Sequence, residues 1–309
     1  MSKRVVVALG GNAILQPKQS GTSEIQFENV RNTCAQLADL ITDGYQLIIT
    51  HGNGPQVGNI LLQNEEAKAV VPPMPLDICG SQTQGFIGYM IQQSMKNLLP
   101  HRNVGTILTQ VLVDANDPAF QHPTKPIGSF YTQEEADHLR AEKGYAMVED
   151  SGRGWRRVVP SPDPKSIVEK ELILALLEKD VLVIASGGGG VPVVSDTRGK
   201  LTGVEAVIDK DLAGQRLAMD VEADALMILT DVEAVAIHWG KPEQKFLGRL
   251  TVAEARKLMA EGHFKAGSMG PKVEAAVRFI EMGGEMSVIA SLNNAADALA
   301  GRAGTVITK

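Results

Sequence analysis

Three apolar runs in this chain stop at clusters of glycine. Residues 5–9 lead into "GGNA", residues 46–51 into "GNGPQVG" and residues 181–186 into "GGGGVPV". Glycine at a strand end lets backbone N–H groups approach an anion with no side chain between. Three such turns at matching positions point to an oxyanion-binding hollow. Its wall would carry Gly10, Gly11 and Asn12, then Gly52 and Asn53, then Gly187 and Gly188. The commonest phosphate loops are not the model. No G-x-x-x-x-G-K-[ST] run occurs, and "GNGPQVG" puts Val57 where the dinucleotide fingerprint needs its third glycine. The protein-kinase motif set is missing as well. The first turn has no lysine or arginine in it or just after it, so positive charge must come from elsewhere.

Two lysines are placed to supply it. "AVIDKDLAGQRLAMD" reads as a helix starting near Asp209, with Lys210 in its first turn; "GSMGPKVEAAVRFI" reads as a helix starting at Pro271, with Lys272 in its first turn. A cation at a helix N-terminus opposes the helix dipole at a cost of roughly 0.3–1 kcal/mol. A bound anion reverses that sign, because free N–H groups and the ammonium then hold it together. Asp209 and Asp211 flank Lys210; one can orient the ammonium and one can meet Mg2+ through water. Asp231 in "LTDV" follows an apolar run and faces a nucleotide or caps a turn. His51 precedes the second glycine turn and reads as structural; the six histidines have no paired metal spacing.

These groups need a scaffold that brings strand ends together. Apolar runs at 5–9, 46–51, 104–113, 181–186, 225–230 and 286–291 read as strands. Helical patterns fall at 24–43, 56–68 and 81–99. Strands alternating with helices predict an α/β fold whose mostly parallel sheet is covered on both faces. Asp163-Pro164 reads as a helix start, and Thr251 with Glu254 has capping-box spacing. Residues 114–162 break the rhythm with proline, glycine, aromatics and arginine around a short helical piece at 132–143. They read as an insertion that projects as a lid or binding loop, or as an arm between subunits. The 309 residues suffice for one large domain or two coupled lobes, and a net charge of -6 without any basic block argues against nucleic acid. Cys34 falls in a core stripe with Phe27, Val30, Leu37 and Ile41, and the two cysteines form no framework; both facts predict a reducing, cytoplasmic setting. The start "MSKRVVVAL" is too short for a signal peptide, and no run reaches the roughly 20 apolar residues of a membrane span.

Taken together, "VALGGNA", "HGNGPQVG", "DPAF", "PTKPIGSFY", "EDSGRGWRRVVPSP", "SGGGGVPVV", "GVEAVIDKDLA", "LTDV" and "GSMGPKVEAA" resemble the carbamate kinases of the amino-acid-kinase superfamily, over essentially the whole chain. The resemblance implies a three-layer open sandwich of two lobes around one continuous sheet. Residues 1–200 would form the carbamoyl-phosphate lobe, with a protruding lid at about 114–162, and residues 201–309 the nucleotide lobe. It implies reversible phosphoryl transfer between carbamoyl phosphate and ADP, with Mg2+ bound mainly through nucleotide phosphates and water. It also implies a homodimer in the cytoplasm, serving arginine metabolism. On this reading Gly10, Gly11 and Asn12 cradle the transferring group, while Gly52, Asn53, Gly187 and Gly188 hold the carbamoyl end. Lys125 of "TKPIG" reaches in from the lid, and Lys210 and Lys272 neutralise charge. Asp211 organises lysine and metal, and Asp231 and Met269 lie on the nucleotide side. The acetylglutamate kinases carry a lysine two residues before the first glycine; here that position is Ala8. Two other readings stay open at this point: a kinase of another small acid or acyl phosphate, and a nucleotide sensor without turnover.

Overall fold

The strand Arg4–Leu9 has five of its six residues buried, as an apolar run covered on both faces should. The computed structural model describes residues 3–150, 152–265 and 267–309. Arg4–Leu9 pairs in parallel with Gln46–His51 on one side and Ala225–Thr230 on the other. Leu9 stands level with His51 and with Leu229, so three strands end at one height. The full eight-stranded sheet runs Arg249–Thr251, Thr305–Thr308, Met286–Ser291, Ala225–Thr230, Arg4–Leu9, Gln46–His51, Leu182–Ile184, Val104–Thr106. Every neighbouring pair is parallel except Met286–Ser291 with Thr305–Thr308.

Alternate side chains divide this sheet between two cores. Val6, Ala8, Ile48 and Ile228 face a layer holding Ala213 and Leu217 of the helix Lys210–Asp220 and Val273 and Val277 of the helix Met269–Glu281. Val5, Val7, Ile49 and Met227 face Val30 and Leu37 of the helix Ser23–Thr42 and Ile87 and Met95 of the helix Leu76–Leu98. This is the predicted three-layer α/β sandwich. Cys34 lies in the second core, and burial pushes its thiol up to about 12. Among the described residues, no helix is long and apolar enough to cross a membrane.

A separate four-stranded sheet contains Leu201–Gly203, Val191–Ser195, Gln110–Val113 and Pro164–Ile167. Two expectations change here. The run 104–113 is two strands in two sheets, Val104–Thr106 and Gln110–Val113. The chain crosses between them at Thr109, whose N–H and carbonyl are both satisfied by the Gln84 side chain, at 2.8 and 3.0 Å. β-Branched composition marks extended backbone but not the sheet it joins. Asp163-Pro164 begins no helix; Pro164–Ile167 is a strand, and the helix starts at Lys170. Distant carboxylates hold this segment extended: Asp117 accepts from the Asp163 N–H at 2.9 Å and Asp220 from the Ile167 N–H at 2.7 Å. The Thr251–Glu254 capping box forms as expected.

The insertion builds its own small layer, an antiparallel sheet of Lys125–Tyr131, Trp155–Val159 and Ala146–Glu149 with the helix Gln133–Lys143. Its arginines stack on its aromatics: Arg140 lies 4.4 Å from the Trp155 ring centre and Arg157 3.7 Å from that of Tyr145. The layer rests on the helix Gly54–Ala67, where a Cβ at Gly58 would lie 3.5 Å from the Gly128 Cα.

Candidate active site

Ligands of open parallel sheets bind beyond the carboxyl ends of the strands, where successive connections leave in opposite directions. Arg4–Leu9 is that point in this sheet, since Gln46–His51 and Ala225–Thr230 flank it on opposite sides. The chain leaves it through Gly10, whose N–H donates to the Leu229 carbonyl at 3.0 Å. A Cβ on Gly10 would sit 3.0 Å from the same oxygen, so the turn needs a residue without one. Gly11–Ala13 then forms one turn of 3-10 helix. Among the described residues, the amides of Gly11 and Asn12 have no acceptor, which leaves two donors facing outward from the turn. Asn12 Nδ2 donates to Asp231 Oδ2 at 3.2 Å, joining the first turn to the end of the neighbouring strand.

The missing charge arrives over the second turn. Asp209 caps the helix Lys210–Asp220, its Oδ1 accepting from the Asp211 N–H at 2.9 Å. Lys210, the first helical residue, runs along Gly52: a Cβ there would meet Lys210 Cδ at 3.0 Å and lies 3.6 Å from the Gly11 N. Lys272 stands in the first turn of Met269–Glu281, a helix that begins two residues before the expected Pro271. Both ammonium groups converge on one carboxylate. Lys210 Nζ donates to Asp211 Oδ1 at 2.6 Å and Lys272 Nζ to Asp211 Oδ2 at 3.0 Å. Asp211 is 2% exposed. Burial by itself would raise its pKa, but the two lysines outweigh burial and hold it down at about 2. Two cations thus share one buried anion at the mouth of the glycine hollow. Lys210, Lys272, Gly10, Gly11 and Asp231 line one cavity of about 540 Å3.

The second and third turns lock together behind it. His51 Nδ1 lies 3.0 Å from the Gly52 carbonyl, which can only accept, so Nδ1 carries the proton. Burial lowers the His51 pKa to about 4 and keeps the ring neutral. A Cβ on Gly187 would meet His51 Nε2 at 2.4 Å, and one on Gly188 would meet Asn53 Nδ2 at 2.2 Å. Asn53 is held in that place by its bond to Thr83 Oγ1, at 2.8 Å. These glycines admit neighbouring side chains as well as any ligand. Asn53, Gly187 and Gly188 border a second, small cavity of about 20 Å3.

Lys125 does reach the site from the insertion, where it donates to Asp209 Oδ2 at 2.6 Å. Met269 does not line the large cavity and instead packs at the margin of the core. Residues 291–293 do line it, beyond the end of Met286–Ser291. The sequence reading passed over them because no glycine marks that strand end. The acidic groups fit a cation delivered with a ligand better than one caged by protein. Asp211 is committed to two lysines and Asp209 to Lys125, while Asp231 stands exposed at the cavity rim.

Residues 3–291 match the family model described as the amino acid kinase family. The chain is 59% identical to a carbamate kinase of Thermococcus kodakarensis across 99% of both chains. It is 50% identical to a carbamate kinase of Clostridium perfringens, across 99% of this chain and 100% of that one. Among solved structures, the carbamate kinase from Giardia lamblia bound to AMP-PNP is similar at a TM-score of 0.93 and 48% identity, covering 100% of this chain and 99% of that one.

Proposed function

The chain belongs to the amino acid kinase family, and from that premise we propose that it is a carbamate kinase. It moves a phosphoryl group between carbamoyl phosphate and ADP, giving ATP and carbamate. The observation that carries this reading is the pairing of Lys210 and Lys272 on Asp211, at the mouth of a hollow walled by Gly10 and Gly11.

A terminal ADP oxygen attacks phosphorus, the bond from phosphorus to the carbamate oxygen breaks, and carbamate leaves as an anion. Neither oxygen has a proton to lose near neutral pH, so the reaction needs positioning and charge neutralisation more than a base. The site answers that need. Its one buried histidine is neutral, with both ring nitrogens turned to backbone, and its donors are lysines and amides. Gly11 and Asn12 hold the phosphoryl oxygens, Lys210 and Lys272 neutralise charge on the group in flight, and Asp211 fixes both ammoniums beforehand. Such donors need no reorganisation at the moment of reaction.

Residues 201–309 take the nucleotide in the 540 Å3 cavity, a volume within the usual range for small-molecule sites. Residues 1–200 take carbamoyl phosphate at Gly52, Asn53, Gly187 and Gly188, beneath the layer that carries Lys125. Mg2+ bound with the nucleotide would supply further charge neutralisation, with Asp231 placed to hold it through water. The same reading makes the protein a cytoplasmic homodimer that serves arginine metabolism. The test is ATP formation from carbamoyl phosphate and Mg-ADP, compared with acetyl phosphate, acetylglutamate and aspartate paired with the matching nucleotide. Preference for another acid would transfer the assignment to that branch, and tight ADP binding without turnover would make the protein a sensor.

A further inference from the structure

We propose that Asp77 is the residue that selects the carbamoyl group, by accepting a hydrogen bond from its amino nitrogen. This inference rests on the carbamate kinase reading and goes beyond it in naming how the acyl end is recognised. Asp77 stands in the first turn of the helix Leu76–Leu98 and borders the 20 Å3 cavity together with Asn53, Gly187 and Gly188. It is half-buried, and among the described residues its carboxylate has no hydrogen-bond or ion-pair partner. The remaining wall is largely apolar, with Leu76, Val191, Pro192 and Val207. Asn53, the other polar side chain there, commits one amide N–H to Thr83 and offers its Oδ1 as a neutral acceptor, weaker than a carboxylate.

Size and chemistry then act separately. A cavity this small admits one water-sized group. The amino group of a carbamoyl unit has that size, and so does the methyl of an acetyl unit, whereas the side chain of an amino-acid substrate exceeds it. The carboxylate decides between the first two. An amino group offers it an N–H donor, while a methyl offers none and leaves it unpaired on that side. Its charge also repels a phosphoryl group from this end, so the substrate seats with phosphorus toward Lys210 and Lys272. Gly203 preserves the arrangement: a Cβ at that position would come within 2.2 Å of Asp77 Oδ2.

An acid in the first turn of a helix also suits the helix dipole. That role touches every substrate equally, so the ratio between two substrates separates it from recognition. The experiment measures kcat/KM for carbamoyl phosphate and for acetyl phosphate with Mg-ADP in the wild type, Asp77→Ala and Gly203→Ala. Where acetyl phosphate turns over too slowly, its inhibition constant against carbamoyl phosphate takes the place of kcat/KM. Gly203→Ala displaces the carboxylate without removing it, on a strand whose backbone places no demand for glycine at that position. The expected result is a loss of about ten- to a hundredfold for carbamoyl phosphate in both variants. Acetyl phosphate should hold steady or improve, and the KM for ADP should not move. Equal losses for both substrates, or an unchanged ratio, would overturn the assignment of Asp77 while leaving the kinase reading intact. A wild type that makes no ATP from carbamoyl phosphate would overturn both.

Discussion

Replacing Asp211 with asparagine removes one charge and almost no volume, and it tests the centre of the site most directly. In the native protein this carboxylate is 2% exposed and accepts from Lys210 at 2.6 Å and from Lys272 at 3.0 Å. Two independent routes give the stability it contributes. The gap between its ordinary pKa of 3.8 and the native value of about 2 corresponds to roughly 2 kcal/mol. Deleting one partner of a buried ion pair costs about 3–5 kcal/mol. The lysine side chains are 21% and 15% exposed, so water screens part of that loss, and the lower end, about 2–3 kcal/mol, is expected for Asp211→Asn. The sign with pH follows from a depressed acid: the stabilisation is complete above about 4 and is lost as pH falls toward 2. The catalytic loss should be larger than the loss of stability. Both ammoniums lose the group that aims them, and one pre-aimed donor is worth about 10²–10³ in rate. Turnover of Asp211→Asn should therefore fall about 10³-fold, with Mg-ADP restoring more thermal stability to the variant than to the wild type. Urea unfolding at pH 7 and pH 3.5, with and without Mg-ADP, and steady-state ATP formation supply the readouts. A variant that loses stability yet keeps turnover within tenfold would refute the claim that Asp211 positions the lysines.

Three shorter predictions address the groups around it. Lys210→Ala and Lys272→Ala should each cost about 10²–10³ in kcat with circular dichroism unchanged, and near-normal turnover in both would remove them from the mechanism. Lys125→Ala should raise the KM for carbamoyl phosphate more than that for ADP, since Lys125 enters from the insertion; equal changes would argue against a role over the acyl phosphate. His51 is buried with its pKa lowered from 6.5 to about 4, so the folded protein resists its protonation. Stability should then rise with pH between about 4 and 6.5, by up to roughly 3 kcal/mol, and a urea-unfolding series should show that slope flattened in His51→Asn.

The strand ends were legible in the sequence because burial on both faces leaves long apolar runs, and glycine punctuates three of them. Helix starts carrying a capping residue, such as Thr251 with Glu254, were legible for the same local reason. Asp163-Pro164 misled because its carboxylate and amide serve partners far along the chain: the Asp163 carboxylate accepts from Arg278 at 2.5 Å and the Asp163 N–H donates to Asp117 at 2.9 Å. Local propensity favoured a helix cap, and tertiary bonds chose an extended strand. Residues 291–293 and Asp77 escaped notice for a related reason. Their neighbours in the site come from other strands, and nothing in their own sequence surroundings announces an anion or an acyl group.

The distribution of charge follows from packing at Ala8. That residue faces the core beneath the helix Lys210–Asp220, where a Cβ on Gly214 would lie 3.4 Å from the Ala8 Cβ. With Ala8 1% exposed, a lysine there would have to pass through the contact between strand and helix. Drawing helix and strand this close closes the direct route for a cation rising from the first strand. The same closeness brings the helix N-terminus over the glycine turns, so Lys210 reaches Gly52. Substituting Ala8 by lysine should therefore destabilise the fold without supplying a working cation. Restored turnover in a double variant, Ala8→Lys with Lys210→Ala, would show that the route is open and that the placement of the charge is not set by this contact.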